Sequence, residues 1–234
     1  RADATDYAEA DLFTLGIGVG AGAVGDATAN AQASVSARFG PAGGSQSGNP
    51  TRLLATGAVL IQSTADQEAQ SDADSVSGGG IAVGSIRSNA NVDGSNQVVL
   101  GDNARIDSFG AITLRAQSSV DADADADGGG GSLIAQIDSA AGSATLHDRT
   151  GVHVRDGADV DGTGAVLVEA LQTIVLDAVA EIDNGGLGTE ANSDATGTID
   201  ATGATVTVDA ATLAGQSLTL RSDVTKIDDA PAKP

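Results

Sequence analysis

The residues of this chain that could do chemistry are a run of evenly spaced aspartates. Asp121, Asp123, Asp125 and Asp127 alternate with small apolar residues and end at a run of four glycines. Closely spaced carboxylate oxygens are ligands that Ca²⁺ prefers. The run resembles the start of an EF-hand loop, but the twelfth position of that loop requires a bidentate acid, and here it holds Ile134. The spacing excludes an EF-hand and leaves open another arrangement of calcium ligands.

Alternation with a period of two is typical of a β-strand. Side chains two residues apart share one face of a strand, so the aspartates lie on one face and the intervening Val120 and alanines on the other. Successive glycines accept positive φ freely, so residues 128–131 are predicted to reverse the chain. Residues 132–146 then return as a second strand. The same order of acidic arm, glycine turn and return strand follows Gly57 and Gly164.

A glycine followed by an aliphatic strand marks four copies of this unit. The marker glycines Gly57, Gly110, Gly164 and Gly215 are separated by 53, 54 and 51 positions. A fixed period of strand-type segments indicates a repeat architecture, in which each unit buries its apolar face only against its neighbours. We predict an all-β solenoid of about four rungs, each of roughly 51–54 residues, stacked in register.

The residue types predict a cross-section with two parts. Inward positions of the arm and return strands are nearly all Ala, Gly or Ser, whereas the remaining strands carry Val, Leu and Ile. Sheets that face each other through such small side chains lie closer than the usual ~10 Å. Each rung should therefore contain a small aliphatic core and a thin flange lined by Ala and Gly. The solenoid body is predicted to span residues 1–224.

Two segments depart from the repeat. Residues 39–51 contain several glycines and prolines and are predicted to form an irregular loop inserted into the body. Residues 225–234 are predicted to be a C-terminal tail or linker. The chain begins at Arg1 and not at Met, from which we expect a processed chain or a piece of a longer protein.

In-register stacking predicts which acidic residues become neighbours. Asp125 and Asp127 should lie beside Asp72 and Asp74, and Asp123 beside Asp177. Carboxylates ~5 Å apart repel, and Ca²⁺ would relieve that repulsion. The favoured interpretation is a solvated acidic face that keeps a flat sheet from aggregating. The candidate metal ligands are Asp121, Asp123, Asp125, Asp127, Asp72, Asp74 and Asp177, and no catalytic or cofactor-binding residue is predicted.

Composition excludes several classes of function. The chain has 32 acidic and 11 basic residues, a formal net charge of −21, so it lacks the basic face that a nucleic-acid binder needs. The absence of cysteine excludes disulfides and thiolate metal sites. No apolar run is long enough for a transmembrane helix. A carbohydrate-active β-helix enzyme ranks third among the functions, because aromatic residues make up only 2% of the chain and bases are sparse.

The order of motifs resembles the β-strand repeats of bacterial filamentous adhesins, the haemagglutinin-type exoproteins of Gram-negative bacteria. The resemblance covers residues 1 to about 224 and is carried by Gly-Ala-Val-Leu-Val at 164–168, the alternating arm, the glycine turn, the Ala-rich return, and Val-His-Val at 152–154. It implies a right-handed parallel β-helix that is secreted or displayed at the cell surface and has no catalytic residues.

We therefore expect a non-catalytic structural segment of a fibre, matrix or adhesin stalk, outside the cell or on a bacterial surface. Its expected partners are other copies or further repeats stacked end to end, and a host-cell or matrix ligand. The alternative function is a calcium-stabilised surface binding module on the same scaffold.

Overall fold

The computed structural model describes residues 1–41, 50–200 and 202–227. All regular secondary structure in these ranges is β-strand. The strands are β1 (Ala2–Phe39), β2 (Arg52–Ala55), β3 (Val59–Leu100), β4 (Arg105–Ser108), β5 (Ile112–Val154), β6 (Asp159–Gly162), β7 (Ala165–Gly186), β8 (Thr189–Ile199), β9 (Gly203–Val208), β10 (Thr212–Ala214) and β11 (Ser217–Ile227).

The strands form two parallel sheets that run along the stack. The large sheet has the order β1-β3-β5-β7-β11, with β8 and β9 also pairing with β5, and the small sheet has the order β2-β4-β6-β10. Strands β7, β8 and β9 together follow the path of the single strand β5. Each repeat thus adds one layer to both sheets, which confirms the predicted all-β solenoid with parallel rungs.

The register reproduces the repeat found in the sequence. Val59 pairs with Ile112, and Ile112 pairs with Val166, which are offsets of 53 and 54 residues. The last layer differs slightly from the sequence alignment: Ser217 pairs with Ala165, an offset of 52, so the marker glycines 164 and 215 do not align. One additional residue, Gln216, causes the difference.

The predicted irregular loop coincides with a change of register. Strand β1 pairs with β3 at an offset of 61, from Ala2 with Ser63 to Phe39 with Leu100, whereas the offset between β2 and β4 is 53. The connection from β1 to β2 is therefore eight residues longer than the connection from β3 to β4. Residues 42–49 of this loop and residues 228–234 of the predicted tail lie outside the described residues. Strand β11 extends to Ile227, past the predicted boundary at 224.

The long strands double back near their midpoints, and their two halves pack face to face. Ala69 and Ala122 of the arms share one buried cluster with Ala29, Ala90 and Ala144 of the returns. The halves approach closely: the Ser88 hydroxyl on a return donates a hydrogen bond of 2.6 Å to the Ser71 carbonyl on an arm. One serine side chain therefore spans the gap between the two backbones. This contact confirms the thin, Ala- and Gly-lined flange.

The aliphatic core lies where the base of the flange meets the small sheet. Three segments of each rung converge there: the start of an arm, the end of a return and a short strand of the small sheet. The fully buried members include Ile112, Leu114, Val152, Val154, Ile106, Val160, Leu100, Val98 and Val168. This cluster is the wide part of the predicted cross-section, and it is separate from the alanine clusters of the flange.

The fold-back requires glycine at particular points. Gly79 has φ +153° and Gly130 has φ +156°, and a Cβ at either position would overlap a backbone carbonyl, that of Gly18 or of Ser77 respectively. Backbone atoms of the adjacent rung cannot move aside without breaking the ladder. The glycine runs therefore allow the rungs to stay stacked through the turn, as well as reversing the chain.

The first and last rungs are less buried than the middle ones. Ala69 and Ala122, which face the flange interior in the second and third rungs, have no exposed surface, whereas Ala8, at the matching position of the first rung, is only half-buried. Strands β8 and β11 are exposed along their whole length. The arm of the first rung therefore stays partly exposed, whereas Ala29 and Ala31 on its return are buried.

Candidate functional site

The outward side chains of the arm strands form a continuous acidic face. Register pairs Asp72 with Asp125 and Asp74 with Asp127, and it pairs Asp123 with Asp177. All three predicted juxtapositions are confirmed. The remaining candidate ligand, Asp121, lies beside Glu68 on one side and Val175 on the other. The seven predicted residues therefore belong to one surface.

Asp125 is the most perturbed group of this face. Its carboxylate is partly buried, and its Oδ1 atom is enclosed without a hydrogen-bond partner. Burial raises the pKa of Asp125 to about 6, and the negative charges of Asp127, Asp72 and Asp123 contribute. A carboxylate that lies among others and is shielded from water holds its proton more tightly.

Two neighbouring carboxyl groups are affected in the same direction. Burial raises the pKa of Asp123, with the charge of Asp177 as the next largest cause, and burial raises the pKa of Asp72, with Asp74 and Asp11 adding repulsion. Like-charge repulsion along the columns is therefore a property of the folded chain, as the in-register stacking predicts.

The face does not form an evident chelating site. Among the described residues, no group of three or more histidine, aspartate or glutamate side chains is placed to hold a metal ion. A depression of about 410 Å³ lies on the face near the glycine turn, with carboxylates on its rim and apolar groups in its wall; its lining includes Asp74, Asp127, Glu181, Asp183, Phe13 and Ile182. The calcium ladder stays a prediction.

Acidification should stabilise the protein through Asp125. The pKa of this group in the folded chain, about 6, lies above its ordinary value of 3.8, so the folded state binds the proton more tightly than the unfolded state between these values. The free energy of unfolding therefore rises as the pH falls from 7 towards 4. We expect Asp125→Asn to be more stable than the parent by about 1 kcal/mol at pH 7, after allowance for solvent screening.

Thermal melts at pH 7 and pH 4 test this expectation, since the advantage of Asp125→Asn should disappear at the lower pH. Asp66→Asn is the matched control, because Asp66 lies on the same face but is exposed. The assignment of this pH-dependent loss of stability to Asp125 would be contradicted if Asp125→Asn were no more stable than the parent at pH 7. An equal gain in stability in Asp66→Asn would contradict it as well.

Calcium and sodium salts should distinguish chelation from screening. A ligand that binds only the folded chain stabilises it by RT ln(1 + [L]/Kd), whereas screening depends on ionic strength alone. We expect equal melting shifts in CaCl₂ and NaCl at matched ionic strength, because the described residues contain no three-ligand group. A larger shift in millimolar CaCl₂, lost when Asp123, Asp125 and Asp127 are changed to Asn, would instead establish the calcium ladder.

The two histidines lie on the surface in different places. His153 is partly exposed on β5, and its Nε2 atom lies 2.6 Å from Asp209 Oδ2. His147 lines a polar groove of about 510 Å³ on the return face, with Asp93 and Arg149 among its neighbours. Both imidazole side chains are partly exposed.

A buried aspartate between the core and the flange was missed by sequence reasoning. Asp148 has no exposed surface. Its carboxylate accepts hydrogen bonds from Gln67 Nε2 at 3.0 Å, Gln172 Nε2 at 2.7 Å, Ser118 Oγ at 3.1 Å and Thr150 Oγ1 at 3.3 Å. The bonds tie three consecutive rungs together. Low local dielectric strengthens such bonds and makes the loss of any partner costly.

A second buried aspartate lies at the other end of the flange. Asp138 is 2% exposed and accepts hydrogen bonds from Ser77 Oγ at 3.2 Å and from Gln136 Nε2 at 2.6 Å. Gln136 also donates to Asn184 Oδ1 at 2.9 Å. The alanine layer of the flange is therefore bounded by a buried polar cluster at each end.

One signal in the sequence could have located both clusters. Inward positions that elsewhere hold Ala, Gly or Ser hold an amide or a carboxylate at 67, 136, 138, 148 and 172. Long polar side chains at positions reserved for small residues must find hydrogen-bond partners inside the fold. Which residues supply them depends on how the two halves of a rung face each other.

Comparison with known protein families, with curated proteins and with solved structures found no match to this chain. The resemblance to filamentous adhesins therefore rests on the motifs of the sequence alone. In the described ranges the structure contains no helix that is both long and apolar enough to cross a membrane.

Proposed function

We propose that this chain is a structural, non-catalytic segment of a β-solenoid shaft, which lengthens by stacking further rungs on its ends. One observation carries the proposal: the end rungs are built like the middle rungs but lack a neighbour on one side. Among the described residues, the 38-residue strand β1 pairs with no strand other than β3, and the interior position of Ala8 stays half-buried. A further rung in the same register would complete the ladder and the burial.

The arrangement of basic groups also favours a structural function. At least five of the nine arginines are held in ion pairs: Arg1 with Asp3, Arg52 and Arg105 with Asp107, Arg115 with Glu169, and Arg221 with Asp223. An enzyme that cleaves polysaccharides needs basic or aromatic groups that grip the sugar next to its carboxylates. Paired arginines and so few aromatic residues supply little of either.

The proposed setting is extracellular, on a bacterial surface or in a matrix, as a fibre or an adhesin stalk. The resemblance of the motifs to filamentous adhesins supports it. A net charge of −21 also keeps a long shaft soluble. A host-cell or matrix component is the proposed ligand of such a stalk, and further repeats or copies are its partners along the axis.

Electron microscopy of the purified chain tests the stacking. We expect end-to-end particles in the parent protein and their loss in Ala8→Lys, because a stacked rung would enclose the lysine as fully as Ala69 is enclosed. Thr5→Lys is the control, since Thr5 is exposed on the same strand and lies beside Asp66. Isolated particles in the parent at every concentration, or filaments unchanged by Ala8→Lys, would contradict the proposal.

A further inference from the structure

An exposed aliphatic ridge runs along the edge of the flange, parallel to the stacking axis. Every rung places at least one large aliphatic side chain at or beside its glycine turn. We call the following residues the tip ridge: Ile17 (77% exposed), Val19 (91%), Ile81 (50%), Leu133 (77%), Ile134 (65%) and Leu187 (93%). Contiguous exposed apolar surface of this kind marks a site of interaction.

The tip ridge is also free of charge. The turn segments 12–25, 75–86, 128–137 and 184–189 contain no Asp, Glu, Lys or Arg, although the chain carries a net charge of −21. The carboxylates begin just outside the ridge, at Asp74, Asp127, Glu181 and Asp183 on the arm side. Two copies of the chain repel each other through their acidic faces but not through this edge.

We propose that the tip ridge is where a second copy of this chain docks sideways, ridge against ridge. The contact goes beyond the end-to-end stacking described above, because it joins shafts laterally. An apolar, uncharged edge is self-complementary, so one patch can serve both partners in a two-fold interface. Two such ridges would remove each other's aliphatic side chains from water.

A lipid surface fits the ridge less well. Interfacial membrane binding uses Lys or Arg at the polar boundary and aromatic anchors beside the apolar face. The four turn segments contain no Lys, Arg, Trp or Tyr, and the residues that border them are carboxylates with the one exception of Arg87, so anionic headgroups meet mainly repulsion. A second copy presents the same charge-free edge, so the contact between two ridges buries no charge.

The area of the ridge predicts weak pairing between single chains and strong pairing between stacked ones. Four rungs of ~4.8 Å and a width of about six residues give a patch of roughly 19 by 20 Å, or about 400 Å² on each copy. A standard stable interface buries about 800 Å² on each partner. The contact grows with each added rung, so lateral docking should strengthen as shafts lengthen.

Cysteine cross-linking tests the docking site directly, because the chain has no cysteine of its own. Leu133→Cys places one thiol near the middle of the ridge, where a two-fold axis would bring two copies closest. Leu54→Cys is the control, since Leu54 is 65% exposed on the small sheet, away from the ridge. With a short bis-maleimide we expect Leu133→Cys to form dimers about 10-fold faster than the control, because docking raises the effective concentration of one thiol near the other.

A charge placed on the ridge provides the second readout. In the Ala8→Lys background, which removes end-to-end stacking, Leu133→Asp combined with Ile134→Asp should abolish the remaining concentration-dependent dimer in sedimentation velocity, whereas Leu54→Asp should leave it intact. Equal cross-linking rates in the two cysteine variants, or an Ala8→Lys chain that stays monomeric at millimolar concentration, would overturn the proposal. Flotation with zwitterionic vesicles without any self-association would overturn it in favour of a membrane. Ala8→Lys should leave Leu133→Cys cross-linking in place, which separates this test from that of stacking.

Discussion

Replacing Ala124 with leucine is expected to lower the free energy of unfolding by roughly 3 kcal/mol, because the flange has no room for three more carbon atoms. Ala124 has no exposed surface and belongs to the alanine layer between arm and return. The position opposite shows how tight the layer is: a Cβ at Gly142 would overlap the carbonyl oxygen of Val179 and lie 3.1 Å from that of Ala124. These are backbone atoms, so relief requires the two sheets to separate.

Urea unfolding measures this change, with Ala141→Leu as the matched control. Ala141 is the neighbour of Gly142 on the return strand and lies on the outer side of the flange. We expect the control to unfold within about 0.5 kcal/mol of the parent, as surface substitutions commonly do. Gly142→Ala should be destabilised although it adds one carbon only. A normal unfolding midpoint for Ala124→Leu would mean that the flange is wider than the structure shows.

Asp148→Ala is expected to destabilise the protein by a similar amount, about 3 kcal/mol, for a different reason. The substitution removes the common acceptor of Gln67, Gln172, Ser118 and Thr150. The Gln67 amide is then left buried without an acceptor, whereas Gln172 keeps the backbone carbonyl of residue 148 and the two hydroxyls keep each other. Each buried polar group left unsatisfied costs about 1–3 kcal/mol, although local rearrangement recovers part of the total.

Two further variants separate the network from the loss of a carboxylate as such. Asp161→Ala removes an exposed aspartate from the small sheet and should change the urea midpoint little. Asp148→Asn keeps one acceptor oxygen and should fall between the parent and Asp148→Ala. If Asp148→Ala unfolds at the midpoint of the parent, the buried network contributes nothing to stability and its role is limited to fixing the register.

The repeat and its consequences along the stacking axis were predictable from the sequence. Parallel rungs in register make each residue the neighbour of the residue one period away, so the pairing of Asp72 with Asp125 and of Asp123 with Asp177 follows from counting. Small residues at every second position likewise predict a thin flange, because the distance between two sheets depends on the side chains between them. Both results need only a period and an alternation.

Contacts across the flange were decided by the tertiary structure. Gln67 and Asp148 are 81 residues apart, and Ser88 and Ser71 are 17 apart, separations that no repeat period predicts. These contacts depend on where each glycine turn ends and on which face the return strand turns towards the arm. A shift of one residue at the turn would move the inward-facing side chains of the return to the outside and the outward-facing ones to the inside. The enclosure of Asp125 and the alignment of the tip ridge depend on the same geometry. Sequence alone therefore determined the order along the axis of this protein, and the fold decided which residues meet across it, because stacking is periodic and the turn is not.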